Sequence, residues 1–147
     1  MNDIVNDIKK CLNCVEAFFA SAPNERIYYK PKNNKWSKIE ILGHLIDSGI
    51  YNLNRFNEAQ YLEKPYMVLP YNQDALVTAN NYQEAEILEL LGFWLSINTR
   101  IMEVVSIQTD ETLRYEIEVE GTLNYLKFLI LDYVKHMKHH VYQIVHQ

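Results

Sequence analysis

Four stretches of this 147-residue chain repeat apolar side chains at the three- and four-residue spacing of an α-helix, and only one short segment alternates as a strand would. The first stretch runs through Ile4, Ile8, Cys11, Leu12, Val15, Phe18 and Phe19. The second has Ile39, Leu42, Leu45, Ile46, Ile50 and Leu53, and the third Leu88, Leu91, Leu95, Ile101 and Val105. The last has Leu123, Leu126, Ile130, Val134, Met137, Val141 and Ile144. Each stripe is a face that must be kept from water, and four such faces can cover one another. The pattern predicts an all-α fold, a four-helix bundle forming one domain over residues 1–147, since no shift of composition marks a linker.

Local chemistry sets the expected boundaries. The first helix should span about residues 2 to 21 and stop before Pro23. Ser37 with Glu40 three residues on is a capping box, so the second should begin there and reach about Ala59. The third should follow Asn80 or Asn81, with Gln83 or Glu84 at the third position, and run to about Ile107. The fourth should start near Thr122 and continue to the C-terminus. Between these two, residues 114–120 alternate polar and apolar, but a lone strand would have no partner, so they are expected to be an extended connection. The joint over residues 60 to 80 is too long for a simple turn. Its Tyr61, Tyr66, Tyr71, Asn72, Gln73 and Asp74, with Pro65 and Pro70, suit either a stiff aromatic lid over a bundle-end pocket or a plain cover for the core.

Charge narrows the partners. The net charge of -5 comes without a basic run, which argues against nucleic acid. No stretch approaches 18 apolar residues and no basic segment precedes an apolar run at the start, so no membrane segment and a cytoplasmic location are expected. Cys11 and Cys14 form a C-x-x-C inside a helical stripe, with neither a strand-to-helix turn nor a second pair to complete a zinc site. They are read as packing cysteines.

The remaining chemistry is in the histidines. His136 and His140 stand four residues apart, one above the other on a helix, on a stripe with Asp132 and Gln143 that borders the apolar arc. His139 falls farther from that arc. His44 sits in the second helix at a similar boundary, with Ser48, Tyr51 and Arg55 nearby. Three neutral nitrogen donors with an open fourth position suit a reactive metal better than a structural one. The residues between His136 and His140 lack the glutamate of an H-E-x-x-H metalloprotease.

Two ordered segments carry a resemblance. Residues 36–48, Trp36-Ser37-Lys38-Ile39-Glu40-Ile41-Leu42-Gly43-His44-Leu45-Ile46-Asp47-Ser48, resemble the W-S-x-x-E-I-L-x-H-L-x-D signature of the DinB/YfiT-like superfamily. Residues 132–144, with His136, His139, His140, Gln143 and Ile144, resemble its H-x-x-H-H-x-x-Q-I signature, and Tyr71-Asn72-Gln73-Asp74 its Y-x-x-D segment. The resemblance implies an up-down-down-up four-helix bundle with a divalent metal at one end, held by His44, His136 and His140. Zinc or nickel would be first choice, with iron or manganese next. It also implies a metal-dependent thiol S-transferase using a low-molecular-weight thiol on a small electrophile. Alternatives are a metal-dependent hydrolase and a non-catalytic, stress-associated metal-binding bundle. Homodimers are common among such proteins. Asp47, Tyr51, Arg55 and Asp74 are the candidates for orienting a small-molecule substrate. The plain alternatives are solvated helix-face charges for Asp47 and Arg55, a core-edge aromatic for Tyr51, and a turn or cap for Asp74.

Overall fold

The computed structural model describes residues 1–32 and 34–147. Its elements are α1 (Asn2–Ser21), α2 (Asn24–Tyr28), α3 (Lys38–Tyr61), β1 (Tyr66–Val68), α4 (Gln73–Ala79), α5 (Ile87–Ser106), β2 (Glu116–Val119), β3 (Thr122–Tyr125) and α6 (Leu126–His146).

The four long helices, α1, α3, α5 and α6, form the expected bundle. α1 and α3 each pack against both α5 and α6, so helices consecutive in sequence, α1 with α3 and α5 with α6, face each other across the diagonals. α3 and α5 begin at the same end, where Ser37 Oγ donates to Gln83 Oε1 and Tyr28 donates to the Ala85 carbonyl. α6 runs the other way, because Lys38 at the start of α3 donates to the Gln143 carbonyl near the end of α6. This is the up-down-down-up arrangement.

The parallel pairing of α3 with α5 explains the long joint. α3 has 24 residues, so at 1.5 Å per residue the chain must travel back about 36 Å before α5 can start. Residues 62–86 make that return. They are more ordered than their composition predicts: β1, α4 capped by the Asn72 side chain on the Ala75 amide, and a 3-10 turn at Tyr82–Glu84. Asn81, with φ 50°, turns the chain between α4 and this 3-10 segment; asparagine tolerates that left-handed conformation better than most residues. The third long helix therefore starts at Ile87, not directly after Asn81.

The extended segment after α5 is a further correction. It is β2, and it has partners on both sides: β1 in parallel, with Tyr66 opposite Ile117, and β3 antiparallel, with Glu116 opposite Tyr125. Glu120 and Gly121, both at positive φ, form the two-residue turn between β2 and β3. This hairpin takes residues 122–125 out of the last helix, which begins at Leu126. The sheet lies toward the C-terminal end of α3, where Tyr66 donates to Glu58. It thus stitches the two long joints together at the end of the bundle opposite the α3 N-terminus. Cys11 is buried as expected, but Cys14 is exposed, because it falls outside the α1 stripe that faces the bundle.

α3 is the centre of the molecule. Residues Lys38 to Gly49 are all buried, far more than one helical face. α2, α4, the 3-10 turn, α5 and α6 surround this half of the helix. Two glycines make the close approaches possible. At Gly49 an added Cβ would stand 2.8 Å from Ile97 on α5, and at Gly43 it would run into the Tyr82 ring. The buried polar residues here, Ser37, Lys38, Glu40, His44, Asp47, Ser48 and Asn52, need partners, and that requirement shapes the site.

Candidate metal centre

His44 is fully buried, deeper than the boundary position its helical projection implies, because the return segment and Trp36 close over α3. From α6, His136 and His140 come to meet it. One ring nitrogen from each of the three lies within 4.8 Å of the others, and His44 Nε2 is 3.0 Å from His136 Nε2. The ring centroids are 4.5 to 4.9 Å apart, with the planes at 70–76°. His139, one residue from His140, stays outside the cluster.

The electrostatics favour bare nitrogens. Burial first, and then the neighbouring His140 and His136, push the His44 pKa down to about 3. Burial and then His136 bring His140 to about 4, and burial also lowers His136. All three are therefore neutral near pH 7. Gln143 fixes the tautomer of His140: its Oε1 lies 2.7 Å from Nδ1 and only accepts, so Nδ1 carries the proton and Nε2 presents its lone pair. The amide is held the right way round by its own nitrogen, 3.2 Å from His139 Nε2. Behind His136, Ser48 Oγ lies 3.4 Å from Nδ1, and Asn52 in turn donates to the Ser48 carbonyl.

This donor set fits a metal. Ligands about 2.0–2.1 Å from a tetrahedral zinc-like ion are roughly 3.3 Å from one another, a spacing between the 3.0 Å of the His44–His136 pair and the 4.8 Å within which all three nitrogens lie. Three uncharged imidazoles also leave a dication uncompensated and open to an anionic or neutral fourth ligand.

The substrate candidates separate in space. Asp47 is buried, not a solvated charge; its Oδ1 accepts from Tyr82 at 2.7 Å and from Asn80 at 3.2 Å, while Oδ2 is buried without a partner among the described residues. Burial raises its pKa, with the Tyr82 hydrogen bond acting against the rise. Asp74 is in the first turn of α4 and borders a cavity of about 600 Å³ that also reaches His140, Gln143 and Trp36. Tyr51 and Arg55 instead border a second cavity, of about 1000 Å³, toward the sheet. Tyr51 stacks on Tyr71 at 4.1 Å with Arg55 over both rings, and Arg55 donates to the Leu69 carbonyl. Asp132, on the histidine stripe, is exposed.

Sequence reading missed two neighbours. Trp36 lies with its ring 4.8 Å from that of His44 and 6.4 Å from that of His140. Tyr82, assigned to a helix start, is the partner of Asp47. A large aromatic just before the Ser37 cap was the available signal for Trp36; nothing local pointed to Tyr82.

A four-helix bundle that gathers three imidazoles from two helices into one cluster belongs to the helical-bundle proteins built around a metal-type centre. Comparison with known proteins places it more narrowly. The model of the DinB superfamily matches residues 8–144, and the chain belongs to that superfamily. Among solved structures, it is similar to YfiT from Bacillus subtilis, described as a probable metal-dependent hydrolase with an unusual four-helix bundle topology, at TM-score 0.87 and 16% identity over 97% of this chain and 82% of that one. It also resembles a DinB-like protein, YjoA, from Bacillus subtilis, at TM-score 0.67 and 18% identity over 97% of this chain and 86% of that one. No curated protein matches the chain by sequence. Among the described residues, no helix is long and apolar enough to cross a membrane.

Proposed function

We propose that His44, His136 and His140 hold one divalent metal ion, and that the protein uses it to join a low-molecular-weight thiol to a small electrophile. The observation that carries this reading is the convergence of three neutral imidazoles beside a cavity. Zinc or nickel is the first choice and iron or manganese the next, because imidazole suits all of them. A dication held by neutral ligands supplies Lewis acidity and lowers the pKa of a thiol or water brought to it.

The chain's own groups do the rest. Gln143 keeps Nε2 of His140 free of its proton, Ser48 backs His136, and Trp36 shields His44 from water. Cys11 and Cys14 are on α1, outside the cluster, so the reacting sulfur arrives as a co-substrate. In the transfer the thiol gives up its proton and its sulfur bonds to the electrophilic carbon. The leaving group departs with the electrons of the broken bond and takes up a proton. Asp74 at the cavity rim, and Asp47, Tyr51 and Arg55 on α3, remain the candidates for orienting the substrate.

A second reading, hydrolysis with water in place of the thiol, is favoured by the description of YfiT as a probable metal-dependent hydrolase. Dependence of turnover on added thiol separates the two. Elemental analysis of untagged protein beside His136→Ala is the first test. About one divalent ion per chain, lost in the variant, is expected. No ion in either protein after incubation with zinc, nickel, iron and manganese overturns the metal reading.

A further inference from the structure

The cavity beside His140 carries a charge opposite to that of the chain. The protein is -5 overall, yet Arg26, Lys32, Lys35 and Lys38 border this cavity against one acidic side chain, Asp74. Lys38 is the informative member. It is 9% exposed, and its ammonium gives one hydrogen bond, at 2.9 Å, to the Gln143 carbonyl. It shares the Phe18 ring with Arg26, whose Cζ is 5.0 Å and whose neighbour Lys38 Nζ is 5.8 Å from the ring centroid.

Among the described residues, the ion pairs involve Lys10, Lys30 and Lys138, and neither Arg26 nor Lys38 has a carboxylate partner. A lysine on a solvated face needs none. Lys38 packs its stem against the bundle while its ammonium borders the cavity next to the Arg26 guanidinium, two like charges that an anion in the cavity would offset. The same cavity is bordered by Trp36 and by His140, one member of the histidine cluster, so a molecule anchored there lies beside that cluster.

We propose that this cavity is the subsite for the anionic end of the substrate, a carboxylate or phosphate group that docks on Arg26, Lys35 and Lys38 while the reacting end reaches the histidines. Its role as a substrate subsite rests on the metal reading; its capacity to bind an anion does not.

The test uses metal-free, chelator-treated protein, so that failure to hold a metal leaves the result untouched. Inorganic phosphate, succinate and the neutral diamide succinamide are titrated in turn, and the Trp36 indole and the Arg26 and Lys35 amides are followed by NMR. Saturable shifts with phosphate, succinate or both, and none with succinamide, are expected; which anion binds more tightly tells phosphate from carboxylate. The double variant Lys32→Gln/Lys35→Gln changes only exposed side chains and should keep its helicity while weakening binding on the order of tenfold. Absence of saturable shifts with both anions, equal shifts with succinamide, or unchanged affinity in the double variant would overturn the proposal.

Discussion

Replacing Gly43 by alanine sets two well-known effects against each other at one atom. In the interior of α3, alanine is better than glycine by about 1 kcal/mol, because glycine loses more backbone freedom on folding. The new Cβ, however, would meet the Tyr82 ring, with even the ring's Cε2 at 2.7 Å where ordinary contact begins at 3.4 Å. The ring has to withdraw by on the order of 1 Å, at an overpacking cost of about 1–3 kcal/mol. Withdrawal also breaks the 2.7 Å hydrogen bond from Tyr82 to the buried Asp47 carboxyl, which costs about 1.5–3 kcal/mol. Sterics and the lost bond outweigh propensity, leaving a net loss of about 2–5 kcal/mol. For a chain of this size that lowers the melting temperature by roughly 5–15 °C. Gly92, in the interior of α5, provides the control, because its added Cβ meets nothing within 4 Å. Gly92→Ala should therefore stabilise by up to about 1 kcal/mol. Urea melts of metal-free Gly43→Ala, Gly92→Ala, Tyr82→Phe and the double variant Gly43→Ala/Tyr82→Phe resolve the terms. In the Tyr82→Phe background the hydrogen bond is already gone, so Gly43→Ala should cost less there than in the parent. A Gly43→Ala protein as stable as Gly92→Ala would refute the packing argument.

The metal-free protein should be sensitive to mild acid. His44 and His140 keep their protons off down to about pH 3 and pH 4 when folded, from an ordinary value of 6.5. The unfolded chain therefore takes up protons first, and stability present above pH 7 is lost as the pH falls below 6.5. From pH 7 to pH 5 each histidine contributes a loss of about 2 kcal/mol. Urea midpoints at the two pH values, for the parent and for His44→Gln, measure this; an equal drop in both proteins would show that His44 is not responsible. At the cluster, Gln143→Leu removes the acceptor that fixes the His140 tautomer and should weaken metal binding about 10- to 100-fold without loss of helicity. Competition against a chromophoric chelator reads that change, and unaltered affinity would remove Gln143 from the site.

The single chain of residues determined the local parts of this protein. The 3.6-residue period, Ser37 with Glu40, and the Pro23 stop are signals carried within a few residues of where they act, and α1 and α3 form where those signals put them. The four-residue spacing of His136 and His140 is of the same kind, since a helix turns that spacing into proximity without help from any other element. The alternation of residues 114–120 marked β2 as extended, but not its partners: β3 was read as the start of the last helix, and β2 pairs with β3 on one side and on the other with β1, some fifty residues earlier. What tertiary structure alone decided is everything that depends on partners far apart in the chain. It brought His44 across to α6, set Tyr82 on Gly43 and Asp47, and gathered Arg26, Lys35 and Lys38 around one cavity. Hydrogen bonds inside a helix link residues four apart and leave a periodic trace. Packing of a return segment against a helix face selects for shape and charge at scattered positions, and leaves none.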